Sequence, residues 1–390
     1  MTQNLLFSPF RLRELDLPNR IVFGPMCQYA ASDGVASDWH LAHLGNFSMS
    51  GAGLIIAEAT AVEPKGRISN LCLGLYSDAC EAALQRVVGF CREYGTARLG
   101  VQLAHAGRKG AVTASFAARR RLNAEEGWWQ PEAPSFLDDG IHSPPAVLDA
   151  AGIERIKRAW VDATRRAGRA GFDLIELHFA HGYLVNQFLS PLTNLRDDGY
   201  GGSRDKRMRL ALEIFDLCRA AWPQDKPMGV RISAVEWIEG GWDLDDSVAL
   251  AGALRARGCD YITASSGGSL LKQKIVAGPG YQVPFAQRVR EGAGIPTMAI
   301  GQITEPAQAE DILQAGKADL IGMVRRMVYD PRWPWHAAAA AGVHLDYQKR
   351  YRTAHPSFGS ALKFAETREK AEAIAHMDRL AEQARAAMKP

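Results

Sequence analysis

Two imidazoles and a phenol fall within one short stretch, His178-Phe179-Ala180-His181-Gly182-Tyr183, directly after the apolar run 172–177. That run, with Glu176 near its end, has the pattern of a buried strand. Its C-terminal end then presents three polar side chains together. Two imidazole donors can hold a carbonyl oxygen as it gains negative charge, and a phenol can deliver a proton. This is equipment for reducing a bond conjugated to a carbonyl. The same spacing also suits two zinc ligands, or two core histidines satisfied by backbone groups, but no third His, Asp or Glu follows at ligand spacing. Tyr183, His178 and His181 are the catalytic candidates, and no metal is expected.

The elements around them repeat. Predicted strands cover 21–26, 54–58, 99–103, 172–178, 228–233, 261–264, 297–300 and 320–323. Helical patterns lie between most of them, for example at 153–170, 206–221, 247–257 and 306–315. Fully apolar strands alternating with helices imply a parallel sheet covered on both faces. Eight such units predict an α/β fold of the (β/α)8 barrel type, with active-site residues at the strand C-termini. A doubly wound sheet would place G-x-G-x-x-G after its first strand, where this chain has Pro25-Met26-Cys27-Gln28-Tyr29. Two segments stand outside the repeat. Residues 108–148 are rich in Arg, Trp and Pro and too long for an ordinary connection, which suggests a lid-like loop or an interface. Residues 352–390 are predicted to form a C-terminal helical extension beyond a barrel domain of residues 1–351, with a polar helix at about 363–387. It either packs on a neighbouring subunit or lies on the surface.

Polar residues at the predicted strand ends form a consistent set. In order they are Cys27 and Tyr29; Glu58, Ala59 and Thr60; Gln102, His105, Arg108 and Lys109; the His178, His181, Tyr183 trio; Arg231; Ser265-Ser266-Gly267-Gly268; Gly301-Gln302; and Arg325. Glycine after the seventh strand and a basic residue after the eighth occupy the usual phosphate position of such barrels. Backbone N–H groups at a Gly turn and a guanidinium both suit an anion. Gln102 donates and accepts while Arg231 only donates, so the pair can read the edge of an isoalloxazine. A positive charge at its pyrimidine end favours the anionic reduced form. FMN is the economical ligand.

Composition narrows the classes. The chain has 390 residues, 47% of them hydrophobic, and a net charge of +3 with both signs interspersed, so no nucleic-acid footprint stands out. Arg119-Arg120-Arg121 is the strongest basic cluster; it reads as a solvated loop, with a phosphate-bearing partner as the second reading. Six cysteines are scattered without C-x-x-C, the first twelve residues lack a signal-type apolar core, and no apolar run approaches membrane-spanning length. These features predict a reduced, cytoplasmic protein with no membrane segment.

The motifs taken in order resemble one family. Pro25-Met26-Cys27-Gln28-Tyr29, Glu58-Ala59-Thr60-Ala61-Val62, Gln102-Leu103-Ala104-His105-Ala106-Gly107-Arg108-Lys109 and the His178 to Tyr183 stretch are similar to Old Yellow Enzyme, in its thermophilic-like subclass. Phe188-Leu189-Ser190-Pro191, Tyr200-Gly201-Gly202-Ser203, Arg231, Pro279-Gly280-Tyr281-Gln282-Val283-Pro284-Phe285 and Asp330-Pro331 extend the match over roughly residues 5–351. The resemblance implies a flavin ring and ribityl chain held by Gly24, Pro25, Met26, Cys27, Ala59, Gln102 and Arg231. It implies a phosphate held by the Ser266-Gly267 turn, Gly301, Gln302 and Arg325. By the same resemblance His178 and His181 bind the substrate oxygen, Tyr183 donates the proton, Tyr29 lines the substrate face, Lys109 lies near the flavin, and Cys27, counted with the catalytic residues, tunes the flavin without becoming a covalent nucleophile. A homodimer or homotetramer is implied too.

Two positions depart from that pattern. Val324, counted with the cofactor-binding residues, stands before Arg325 where the family usually has glycine, which removes backbone freedom at the phosphate end. An arginine that reaches a neighbouring active site in relatives corresponds here to Lys349, with Arg350 beside it. The implied reaction is ping-pong: NAD(P)H reduces FMN, and an activated alkene (an α,β-unsaturated carbonyl or nitro compound) then takes hydride at its beta carbon. The rivals are an FMN dehydrogenase or demethylase of the same fold, a barrel lyase with Lys109 as Schiff-base amine, and a non-catalytic flavin-binding or scaffold role.

Overall fold

The computed structural model describes residues 4–354 and 368–387. Eight parallel strands close into a barrel in sequence order: β1 (Ile21–Phe23), β2 (Leu54–Ala61), β3 (Arg98–Ala104), β4 (Leu174–Phe179), β5 (Met228–Ser233), β6 (Tyr261–Ser265), β7 (Thr297–Ala299) and β8 (Leu320–Met323), with β8 pairing back onto β1. Every predicted strand is one of these. The ends moved: β1 stops at Phe23, leaving 24–29 as a loop, and β2 runs on to Ala61 through a register shift at Glu58.

Helices cover the barrel because their apolar stripes match its outer face. In the helix Ala150–Ala170, Ile153, Ile156, Trp160, Ala163 and Ala167 recur at three- and four-residue steps and are all buried. Burying each isoleucine contributes about 1.5–3 kcal/mol. The Asp149 carboxylate accepts the Gly152 N–H at 2.7 Å to start this helix, and Gly171 ends it at φ 95°, a left-handed turn that glycine adopts without strain. A second apolar layer (Val22, Leu54, Ile56, Leu174, Tyr261, Met298 and Leu320) fills the barrel floor. Leu12 and Leu17 of the hairpin Phe10–Leu12 with Leu15–Leu17 plug it from below.

The 108–148 segment is irregular apart from the short parallel pair Glu132–Ala133 with Ala146–Val147. Beyond the barrel, a 3-10 turn Lys349–Ala354 precedes the helix Arg368–Ala387, where Ile374, Met377 and Leu380 are exposed. The first residues of the predicted terminal helix, 363–367, lie outside the described residues. No helix among those described is long and apolar enough to cross a membrane, and all six cysteines are free thiols.

Candidate active site

The His-x-x-His-x-Tyr stretch turns sharply at the top of β4. His181 and Gly182 both have positive φ (61° and 69°), and Tyr183 caps the short helix Leu184–Leu189. Glycine is required at 182, because a Cβ there would lie 2.3 Å from the Gly268 carbonyl oxygen of the loop after β6. The rings converge, with the His178 centroid 5.0 Å from both His181 and Tyr183.

Backbone chemistry sets the protons. The Ala180 N–H donates to His178 Nδ1 (3.2 Å), so His178 carries its hydrogen on Nε2 and donates to His181 Nδ1 at 3.2 Å. His181 in turn donates from Nε2 to Ser265 Oγ (2.7 Å), whose hydroxyl faces Gln282 Oε1 at 3.4 Å. Burial, reinforced by the charge of Arg231, holds both imidazoles well below the ordinary histidine range. Burial also pushes the Tyr183 phenol up. All three groups are therefore neutral at pH 7, which suits hydrogen-bond donation and proton delivery.

The 24–29 loop is pinned at both ends. The Gly24 N–H donates to the Met323 carbonyl (3.0 Å), and a Cβ at Gly24 would press on Val324 Cγ2 at 3.1 Å. Val324 itself has φ −129°, so the β-branched residue fits and no glycine is needed there. At the other end the β2 irregularity places the Glu58 carboxylate under the loop. It accepts the Gln28 N–H at 3.0 Å and lies 3.3 Å from His40 Nε2. Cys27, Tyr29 and Tyr183 pack together against Ile68, Cys72, Ala106 and Val112. Burial raises the Cys27 thiol, so it is not a thiolate at neutral pH.

Inside the mouth, Glu176 is fully buried and accepts from Gln102 Nε2 (2.7 Å), Thr263 Oγ1 (2.5 Å) and Tyr261 OH (3.2 Å). This fixes the Gln102 amide and places a carboxylate near Arg231. Burial lowers the Arg231 pKa and the Glu176 charge opposes that shift. The Arg231 Nε is buried without a partner. A cavity of about 670 Å3 opens beside it, lined by Gly24, Pro25, His181, Arg231, Ser266, Gly301, Gln302, Val324 and Arg325 among others. Arg326 also lines it, and its Nε too is buried without a partner.

The cavity lies within the ~300–1,000 Å3 range of cofactor sites. Orphaned guanidinium donors at Arg231 and Arg326, with Arg325 beside them, fit a planar ring system carrying a phosphate tail. A flavin nucleotide has that shape and charge. Of the Ser266-Gly267 turn only Ser266 lines the cavity; the Gly267 N–H donates to the Val235 carbonyl at 2.8 Å. Ala59 borders a crevice beside Tyr183 instead, and Met26 contributes its carbonyl to Gln28 Nε2 at 2.8 Å.

Sequence reasoning missed Arg326 and the anchoring role of Glu176. A carboxylate inside an apolar strand and a second arginine directly after Arg325 were the available signals. Lys109 is not an isolated amine: its Nζ donates to the His181 and Gly268 carbonyls at 2.7 and 2.9 Å and lies 5.1 Å from the centre of the Tyr183 ring. Behind it, Glu63, His105 and Glu132 group their ligand-type atoms within 4.8 Å of one another, with Arg155 and Lys65 already supplying counter-charge.

Residues 5–342 match the NADH:flavin oxidoreductase / NADH oxidase family. The NADPH dehydrogenase of Geobacillus thermodenitrificans (strain NG80-2) is 42% identical over 350 residues, covering 89% of this chain and 97% of that protein. The NADPH dehydrogenase of Listeria monocytogenes serovar 1/2a is 41% identical over 351 residues, covering 90% and 98%. Among solved structures, morphinone reductase in complex with tetrahydroNAD superposes with a TM-score of 0.72 at 27% identity, covering 88% of this chain and 92% of that one. The chain belongs to the NADH:flavin oxidoreductase / NADH oxidase family, the Old Yellow Enzyme family of flavin-dependent barrel oxidoreductases.

Proposed function

We propose that this protein is an FMN-dependent ene-reductase that couples oxidation of NAD(P)H to reduction of an α,β-unsaturated carbonyl or nitro compound. The observation that carries the reading is the neutral trio His178, His181 and Tyr183 gathered beside a cavity with orphaned arginine donors. Arg231 and Gln102 would hold the ring of FMN, with Gly24, Pro25 and Cys27 beside it and Gly301, Gln302, Arg325 and Arg326 around its phosphate. When bound, FMN supplies the two-electron carrier between the nicotinamide and the alkene. Overall, one hydride from NAD(P)H and one proton add across the C=C bond, leaving NAD(P)+.

The chain's own residues do the rest. An acceptor oxygen takes over from His181 Nδ1 as the partner of His178 Nε2–H. His181 becomes the second donor if its proton moves from Nε2, where Ser265 now accepts it, to Nδ1. Drawing electron density toward that oxygen makes the beta carbon electrophilic, and Tyr183 delivers its phenolic proton to the alpha carbon. Tyr29 would line the substrate face. A homodimer or homotetramer in the cytoplasm, with Lys349 or Arg350 extended toward a neighbouring site, completes the reading.

Tyr183→Phe is the direct test. Anaerobic rapid mixing should show flavin bleaching by NADPH near the wild-type rate, while reoxidation by 2-cyclohexenone slows by about 10²–10⁴-fold. Equal slowing of both half-reactions would remove Tyr183 from proton delivery.

A further inference from the structure

A second cavity, of about 400 Å3, lies between the 108–148 loop and the loop after β6. Its charged and titratable wall is Lys109, Arg119 and His142, together with Asp139. The charges are unbalanced. Both oxygens of Asp139 are occupied: Arg108 Nη1 and His142 Nδ1 donate to one at 2.7 Å each, and the backbone N–H groups of Ile141 and His142 donate to the other at 3.1 and 2.8 Å. His142, with its hydrogen on Nδ1, is neutral and accepts from Arg119 Nη2 at 3.1 Å. Among the described residues no carboxylate pairs with Arg119 or Lys109. Two basic side chains therefore face one cavity with no counter-ion of their own.

Ser269 and Gln273 also line the cavity, and the rest of the wall is apolar. Ile141, Leu271 and Ile275 line the cavity and are 37%, 59% and 40% exposed, which is hydrocarbon surface left open to water. A bare inorganic ion would leave these walls uncovered. A carboxylate on a hydrocarbon or aromatic body fits both halves, its planar head matching the guanidinium fork. Burial, then the charges of Arg119 and Arg108, lower Lys109 to about 7, so an anion arriving there also relieves the repulsion among these cations.

We propose that this cavity is a binding subsite for an amphipathic organic carboxylate, separate from the oxygen site at His178 and His181, with Arg119 and Lys109 holding its head and Ile141, Leu271 and Ile275 its body. Through Lys109, which donates to the His181 carbonyl, an occupant would touch the wall of the active site.

Binding is measured without turnover, so the result does not depend on the ene-reductase reading. Flavin-loaded protein is titrated calorimetrically with octanoate and with 1-octanol, as wild type and as Arg119→Gln, each with and without saturating 4-hydroxybenzaldehyde. The mutated side chain is on an exposed loop, and thermal melting checks that the variant is folded. Octanoate should bind at least about tenfold more tightly than octanol, the scale of one charge-assisted hydrogen bond. Arg119→Gln should abolish that preference, and the phenol should leave it in place. Equal affinity for acid and alcohol overturns the subsite, as does a preference that survives Arg119→Gln. Displacement of octanoate by the phenol would move its binding to the flavin face and overturn it equally.

Discussion

His178, His181, Ser265 and Gln282 form a hydrogen-bonded row whose direction is set by one backbone N–H, that of Ala180. Because that N–H occupies His178 Nδ1, the only hydrogen His178 can offer a ligand is on Nε2. His178→Ala should therefore weaken a phenolate ligand such as 4-hydroxybenzaldehyde by about tenfold or more, the loss of one hydrogen bond to a charged acceptor. Spectral titration of the bound flavin measures it; unchanged affinity would take His178 out of the oxygen site. The trio, Arg231 and Arg325 were legible in the sequence because polar residues at the ends of apolar strands have few structural reasons to be there. Arg326 and the Glu176 anchor were not. A carboxylate inside an apolar strand and a second arginine mark the positions, but their roles depend on which atoms lack or gain a partner in three dimensions.

At the scale of elements, one ion network fastens the active-site loops to the outer helices. His105 Nε2 lies 2.9 Å from Glu63 Oε1, and Arg155, on the helix Ala150–Ala170, reaches both Glu63 and Glu132. Burial alone would raise Glu63; the hydrogen bond and charge of His105, with those of Arg155, outweigh it and bring the carboxyl down to about 2. A depressed carboxyl stabilises the fold above its unfolded pKa of 4.5 and loses that contribution as pH falls toward about 2. Glu63→Gln should then cost on the order of 3 kcal/mol near pH 7. Thermal melts of both proteins should converge as pH falls from about 4.5, whereas a gap independent of pH would mean that the charge is not what Glu63 contributes. The strands could be placed from apolar runs, but β2 is buried along its whole length, and such a run carries no mark of the irregularity at Glu58. The basic run 119–121 also divides unexpectedly: Arg120 pairs with Glu126 and Arg121 with Asp138, leaving Arg119 to the second cavity.

For the whole molecule, the family match ends at residue 342, and the described side chains of the terminal helix are exposed. A chain shortened to residue 351 should retain its flavin and melt within a few degrees of the full protein. Calorimetry and light scattering on both forms would test this, and a large drop in Tm would show that the extension is part of the folded unit. Barrel closure was legible because eight apolar strands recur with helices between most of them, despite the long 108–148 insertion; the fate of the extension was not, since a polar helix has no apolar stripe strong enough to name its partner.

The 670 Å3 cavity is built from both extremes of the barrel, with Gly24 and Pro25 from just after the first strand and Arg325 and Arg326 from just after the last. During synthesis the two halves of this pocket are separated by some three hundred residues of growing polypeptide. A cofactor that needs both has no receptor until the eighth strand has left the ribosome and met the first. Since a ligand stabilises only the state that binds it, cofactor capture would act as a late quality check, favouring chains whose ring has shut over those still open at the seam.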